Sequence, residues 1–287
     1  MKIAEKITDM IRDKKTQMPT LPIIVEKILS IAREENTSAK DLAEFVSKDQ
    51  AAANKILRLA NSAYYGRMKE IDSIPRSITI IGFNEVISLT IGMSVISTFR
   101  QKGLNEILDM QDLWLHSIAC AFTSKKIAKK MGLKEAEQIF LNGLLHDMGK
   151  VIFAIYFPYE YRLVLKEAKK TQVELWDMEK RILSMDHATL SGLLMERWHF
   201  PDDLILPSRF HHDPDKCPPA YQQNALIVKL ADCLCQQAGL GYSGNPVIPN
   251  LGETREQLSM SREDLVKYIE SIKQQRPKIE EFFELIG

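Results

Sequence analysis

The sequence has no excess of either charge. Its 38 basic residues are matched by 38 acidic ones, so it offers no broad positive face to nucleic acid or an anionic membrane, and only a local patch would serve. It has no run of about 18 consecutive apolar residues, so no membrane-spanning helix is expected. Thirteen glycines and 12 prolines in 287 residues are too few for a low-complexity chain or one built from many short strands. Cysteine is scarce and unpatterned. Cys120, Cys217, Cys233 and Cys235 form no C-x-x-C pair, which reads as reduced thiols of a cytosolic protein and argues against zinc ligation by them. The opening "MKIAEKITDMIRDKK" alternates charged with apolar residues and lacks the apolar block of a secretion signal. A cytoplasmic location without membrane contact is expected.

What is present is helical periodicity almost everywhere. Ile3, Ile7, Met10 and Ile11 share one face of a helix over 3–14. A second helix over 22–35 starts at Pro22, a residue suited to a first helical position. "SAKDLAEFVSK" opens with Ser38 and Asp41 in capping-box spacing. "AAANKILRLANSAYYG" places Ala53, Ile56, Leu57 and Ala60 together and stops at Gly66. Longer apolar helices are expected over 84–98 and 111–131. Shorter ones follow near 135–146, 150–156, 159–170, 173–183, 187–198, 202–212 and 221–238, with a charged helical tail over 261–285. Only "SITIIGF" invites a strand, and at that length a short buried helix serves equally. The expected fold is all-α: a multi-helical bundle with an N-terminal helical part over 1–105, a second part over 106–245, and a C-terminal loop and tail over 246–287. The internal boundary is placed near Gly103, and "GLGYSGNPVIPNLGE" is the loop before the tail.

Histidine is rare, at six residues, and five of the six, His116, His146, His187, His211 and His212, fall between helix starts and ends in a patterned way. His116 lies within "DLWLHSIACAF", and His146 is followed at once by Asp147 in "LNGLLHDMGK". His187 opens "DHATLSGLLMERW" behind Asp186, its expected N-cap. His211 and His212 end "LILPSRFHHD", and Asp232 sits in the apolar stretch "ALIVKLADCLC". A carboxylate so placed must be paired, hydrogen-bonded or metal-bound, because burying it bare is costly. Taken singly, each has an ordinary explanation: a satisfied core histidine, a histidine suited to a helix C-terminus, or an aspartate bonded to a nearby backbone. His199 is assigned to that class, packing beside Trp198. Taken together, imidazoles and carboxylates form the donor set of one or two divalent transition ions, with iron or manganese ahead of zinc. Two such ions would clamp a phosphate, Asp147 would bridge them, and Lys150 would offset phosphoryl charge.

The H…HD…D order resembles the HD superfamily of metal-dependent phosphohydrolases. Residues 15 to 240 resemble a narrower group, the HDOD (HD-related output domain) proteins of bacterial signalling. The resemblance is carried by "MPTLPIIVEKIL", "SAKDLAEFVSKDQAAANKILRLANSAYYG", "IDSIPRSITIIGFNEV", "LLHDMGK", "DHATLSGLLMERWHFP" and "HHDP". It implies an all-helical fold and a cytoplasmic bacterial output module in which catalysis is often absent. The related HD-GYP phosphodiesterases open cyclic di-GMP at a two-metal site. By position, their ligands fall on His116, His146, Asp147, His187, His211, His212 and Asp232, with Lys150 as the phosphate-side lysine and Asp112 as a weaker match. The Gly-Tyr-Pro loop of those enzymes is replaced here by "DPDKCPPAYQQ", and Asp49-Gln50 stands where the HDOD pattern has Asp-Pro.

Three functions follow as expectations. One is a signalling or scaffolding module with a structural or sensory metal site, acting on a signalling protein or a small nucleotide ligand. The second is a metal-dependent phosphohydrolase of a nucleotide or cyclic dinucleotide, with Asp147 and Lys150 as its catalytic groups. The third, DNA binding through the helix–turn–helix proportions of "SAKDLAEFVSKDQAAANKILRLA", is disfavoured, because Lys48, Lys55 and Arg58 are a sparse grip on phosphate.

Overall fold

A computed structural model describes residues 3–13, 18, 20–33, 38–62, 64–65, 70–99 and 107–286. Gly66 and Gly103, the expected helix stop and boundary, lie outside the described residues, as do positions 14 and 34–35 at the expected helix ends. The protein is all-α, and no strand occurs among the described residues. Chain contacts divide it into two units. One unit comprises Met1–Met18 with Lys102–Gln274, the other Pro19–Gln101 with Gln275–Gly287. This differs from the linear division into 1–105, 106–245 and 246–287. The N-terminal helix and most of the tail belong with the histidine-bearing segment, and only the tail's end belongs with the N-terminal part.

The smaller unit holds α2 (Ile23–Arg33), α3 (Ala39–Ser47), α4 (Gln50–Ala60), α5 (Ile74–Ile81) and α6 (Phe83–Phe99). Helix α3 starts on the expected capping box: the Ser38 amide donates to Asp41 Oδ2 at 2.9 Å, and the Asp41 amide donates to Ser38 Oγ at 3.2 Å. The ambiguous "SITIIGF" is helical. Ile74, Ser77, Ile78 and Ile81 are its buried face at i, i+3, i+4, i+7 spacing, Pro75 lies in the first turn, and Gly82 at φ +104° turns the chain into α6. The strand alternative fails because the window beginning at Ser77 hides the first turn that sets this period. In α4 the buried face is Ala52, Ile56, Leu59 and Ala60, whereas Ala53 and Leu57 are only half-buried. In the helix–turn–helix segment, Lys48 pairs with Glu44 at 3.1 Å, and Lys55 donates to the Ile286 carbonyl at 2.7 Å.

The larger unit is built around α7 (Met110–Lys130), which packs against α8 (Ala136–Leu145) and α14 (Pro219–Ala238). Asp109 caps α7, accepting from the Gln111 and Asp112 amides. The middle of α7 is buried nearly all round, and it encloses His116, Ser117, Thr123, Ser124 and Lys125 among its apolar residues. Helix α9 (Met148–Tyr156) packs on α12 (His187–Arg197), which also meets α13 (Asp202–Arg209). Helices α10 (Pro158–Thr171) and α11 (Leu175–Leu183) pair beside them, α15 (Gly252–Gln257) follows the 239–251 loop, and α16 (Arg262–Ile286) closes the chain. The N-terminal helix α1 (Ile3–Arg12) is tied to α12 by the Arg197 guanidinium, which donates to the Ile11 carbonyl at 2.7 Å. The stretch Ala136–Tyr156 is long and apolar enough to cross a membrane, but 89% of its apolar window is buried inside the protein. It is a core element.

Candidate metal centre

Helices α8 and α9 meet in a tight turn at His146 and Asp147, and the turn explains the "HDMGK" spelling. Gly149 lies so close to α12 that a Cβ would stand 2.1 Å from the His187 carbonyl oxygen. Any side chain there would push the two helices apart. The Gly149 amide donates to Ser191 Oγ at 2.8 Å, and that hydroxyl donates to the His146 carbonyl at 2.9 Å. The turn is thereby clamped to α12. Asp186 caps α12 as expected, accepting from the Thr189 amide at 2.7 Å. His187, on the first turn, is held facing the His146–Asp147 pair. On the other side, Gly241 at φ +70° approaches α7 so closely that a Cβ would meet the Asp112 carbonyl and the His116 amide at 2.4 Å.

Around this turn the structure gathers His116, His146, Asp147, Lys150, His187, His211 and Asp232, each between 0% and 4% exposed. His212 is half-buried at the edge. The imidazoles form a continuous series: His116 to His146 at 5.8 Å between ring centroids, His146 to His211 at 4.9 Å, His211 to His212 at 3.9 Å and His212 to His187 at 4.8 Å. Their tautomers follow from their partners. His146 Nδ1 lies 2.8 Å from the Gly143 carbonyl and His211 Nδ1 lies 2.7 Å from the Ser208 carbonyl. A carbonyl only accepts, so both Nδ1 atoms carry hydrogen and both Nε2 atoms present lone pairs. Those two buried Nε2 atoms make no hydrogen bond.

Carboxylates hold the rest. Asp232 Oδ1 stands 2.9 Å from His116 Nε2 and accepts from Gln236 Nε2 at 2.7 Å. Asp147 Oδ2 accepts from Lys150 Nζ at 2.7 Å, and its Oδ1 lies 3.1 Å from His187 Nε2. Glu179, wholly buried, accepts from both the His187 amide at 2.7 Å and His187 Nδ1 at 2.6 Å, while the Tyr161 hydroxyl donates to its other oxygen at 3.1 Å. Asp112 is exposed and stands outside these groups. His199 is exposed too, at the end of α12 with φ +57°.

The electrostatics divide the histidines. Burial pulls the His187 pKa down, but the Glu179 and Asp147 carboxylates outweigh it and raise the value to about 9. Burial lowers His146, and it lowers His211 and His212 well below the usual range, helped by the neighbouring imidazoles. These three are neutral imidazoles at physiological pH, the form that binds metal. Burial opposes ionisation of Asp147, yet His146, Lys150 and His187 hold its pKa well below the carboxylate range. His116 does the same for Asp232.

Three overlapping groups place ligand atoms within 4.8 Å of one another: His116, Cys120, His146 and Asp232; His146, Asp147 and His211; and His187, His211 and His212. The Nε2 atoms of His187 and His212 are 2.8 Å apart, close to the ~3.0 Å edge that two ligands at right angles span on bonds of about 2.1 Å. Orphaned neutral imidazole nitrogens beside ionised carboxylates fit a divalent transition ion. Three residues around the cluster escape a reading by motif. Cys120 lies one turn beyond His116 on α7, a spacing visible in sequence. Glu179 carries no periodic signal toward His187. Trp176 stacks on His212 with centroids 5.3 Å apart and planes at 8°.

Residues 18–214 match the family model of the HDOD domain. By sequence, the chain is 25% identical over 237 residues to an uncharacterised protein of Treponema pallidum (strain Nichols), covering 80% of this chain but only 44% of that relative's length. By structure, it is similar to an HDOD domain protein of unknown function from Geobacter sulfurreducens, with a TM-score of 0.79, 21% identity and 99% of each chain covered. A proposed phosphohydrolase from Shewanella amazonensis SB2B aligns with a TM-score of 0.76 and 21% identity, over 99% of this chain and 98% of that one. At these identities the structural likeness establishes the all-helical fold. The match over more than two thirds of the sequence, joined to a clustered H…HD…D set, makes this chain a member of the HDOD domain family.

Proposed function

We propose that this protein is a signalling or scaffolding module of bacterial signal transduction, with a metal centre that is structural or sensory. The observation that carries this reading is enclosure. Every candidate ligand except His212 is buried, Trp176 lies flat on His212, and Lys180 Nζ sits over the Trp176 ring, 3.7 Å from its centroid. A site so covered favours retention of an ion over passage of a dinucleotide. His116, His146, Asp147, His187, His211, His212 and Asp232 would hold one or two divalent transition ions. The signal would pass to a signalling protein, or come from a small nucleotide, at the protein's surface.

Phosphohydrolysis is the second reading, favoured by Asp147, by Lys150 beside it, and by the name of the Shewanella relative. A bound ion would supply Lewis acidity toward a phosphoryl oxygen and a more acidic water. Lys150 Nζ would stabilise phosphoryl charge only after leaving Asp147, whose oxygen it already holds at 2.7 Å.

The test is elemental analysis of the full chain purified without a chelating tag, followed by an assay of cyclic di-GMP opening. At least one equivalent of a transition metal is expected, lost in the His146→Ala, Asp147→Ala double variant, with no efficient hydrolysis. Well under one equivalent, with none taken up on reconstitution, refutes the metal centre. Rapid hydrolysis abolished by Lys150→Met, with metal content intact, makes the protein an enzyme first.

A further inference from the structure

We infer that Cys120 is a metal ligand in this chain, so that the group formed with His116, His146 and Asp232 is a mixed nitrogen, oxygen and sulfur site. The inference rests on the metal reading above and goes beyond it, since an H…HD…D set contains no sulfur donor. All four side chains are buried, and their ligand atoms lie within 4.8 Å of one another. Cys120 Sγ is 3.4 Å from His116 Nε2. Metal–sulfur bonds of about 2.3 Å and metal–nitrogen bonds of about 2.0–2.1 Å, meeting at 90–109°, put sulfur and nitrogen ~3.1–3.6 Å apart. The observed separation falls within that edge.

A second observation points the same way. His146 Nε2 is fully buried, presents a lone pair and makes no hydrogen bond, and His146 is a member of this same group. A lone pair of that kind in a buried position calls for a Lewis acid or a donor. The ordinary role of a buried cysteine is that of a small apolar side chain, and Cys233 illustrates it: buried on α14, it belongs to none of the ligand groups. Cys120 differs in facing a histidine nitrogen and a carboxylate. Cys235, which shares a side-chain hydrogen bond with Cys120, also meets Thr123, with Oγ1 and Sγ 3.5 Å apart. On metal binding the Cys120 thiol releases its proton to solvent as the metal–sulfur bond forms. A thiolate in the set turns its preference from manganese toward zinc and other thiophilic ions.

The test uses the full chain, stripped of metal and titrated with cobalt(II), read by absorption. Wild type and Cys235→Ser are expected to show a near-ultraviolet thiolate-to-cobalt charge-transfer band. Cys120→Ser and Cys120→Ala should lack it, while the cobalt bound through His187, His211 and His212 remains. Zinc affinity at the first group should fall ~100-fold or more in Cys120→Ser, at or beyond the upper end of what losing an outer-shell partner costs. Helical circular dichroism of each variant confirms that it folds. Cobalt uptake by wild type without the band overturns the assignment of Cys120 alone. A band lost in Cys235→Ser but kept in Cys120→Ser overturns it in favour of Cys235. No cobalt uptake at all overturns both this assignment and the metal reading beneath it.

Discussion

The two units differ in what they bury. Among the described residues, the buried polar side chains of the smaller unit are Ser62, Ser77, Ser88 and Thr90. Its interior is otherwise apolar, with Ile28, Leu42, Val46, Ile56, Leu59, Val95, Phe99 and Phe282 fully or almost fully enclosed. Every buried histidine, lysine and carboxylate among the described residues lies in the larger unit. The smaller unit is therefore held together by transfer of apolar surface from water. The larger unit carries, at its centre, groups whose desolvation costs more than an aliphatic replacement would. Stability alone does not account for such an interior. It marks the region in which the fold serves chemistry.

The largest expected effects come from damaging each interior in its own way. Asp147→Ala leaves Lys150 buried without its partner at 2.7 Å, which should cost about 3–5 kcal/mol in the metal-free protein and empty the metal centre. Leu59→Ala, in the smaller unit, should cost a similar ~2–5 kcal/mol through cavity formation while metal per folded chain stays at the wild-type value. Urea denaturation with metal analysis of the folded fraction separates the two. Retention of metal by Asp147→Ala, or its loss from folded Leu59→Ala, would break the contrast.

How far the sequence showed this depends on the kind of signal. Helices with a clean 3.6-residue period were legible, and so was the N-cap at Asp186. The α4 face is half legible: Ile56 and Ala60 are buried as the period implies, but Ala52 and Leu59 take the places of Ala53 and Leu57, because the run of alanines at 51–53 weighs little in any periodicity. The position of Cys120 beside the cluster is legible only when its spacing to His116, four residues away on one helix, is weighed, and a comparison among the cysteines alone does not show it. Glu179 was illegible in principle. Its carboxylate meets His187 because α11 ends in a turn at Ser184, φ +61°, that folds the chain back, and no local pattern encodes that meeting. The allocation of the chain's two ends between the units is likewise a matter of tertiary contact.

Glu179 gives the intermediate effect. It touches no candidate ion position. Its role is to hold the His187 ring and keep the hydrogen on Nδ1, as carboxylates behind metal-binding histidines do. Glu179→Gln preserves shape and weakens that hold, so metal affinity should fall by about 10-fold to 100-fold with helical content unchanged. Competition with a chromophoric chelator measures it. An affinity equal to wild type would leave Glu179 as a packing residue, and part of the polar interior of the larger unit would then stand apart from the metal centre.

The smallest effect lies at the surface of the same unit. Asp264 accepts from Lys130 Nζ at 2.6 Å, from the Ser261 amide at 3.0 Å and from Ser261 Oγ at 2.8 Å. The Lys130 contact first, and then the two from Ser261, hold its pKa below the ordinary carboxylate value. A carboxylate depressed in the folded state adds stability above its unfolded pKa of about 3.9, and that increment is lost as pH falls through the folded value. The pair is solvated, so the increment is small. Asp264→Asn keeps an acceptor for Ser261 and removes the charge facing Lys130. It should lower the melting temperature slightly at pH 7 and low salt, with the difference from wild type shrinking as pH falls below about 4 and as salt is raised. Metal content should not change. A drop comparable to that of Asp147→Ala would show that the surface of this unit, and not its polar interior, sets its stability, and the contrast between the two units would lose its basis.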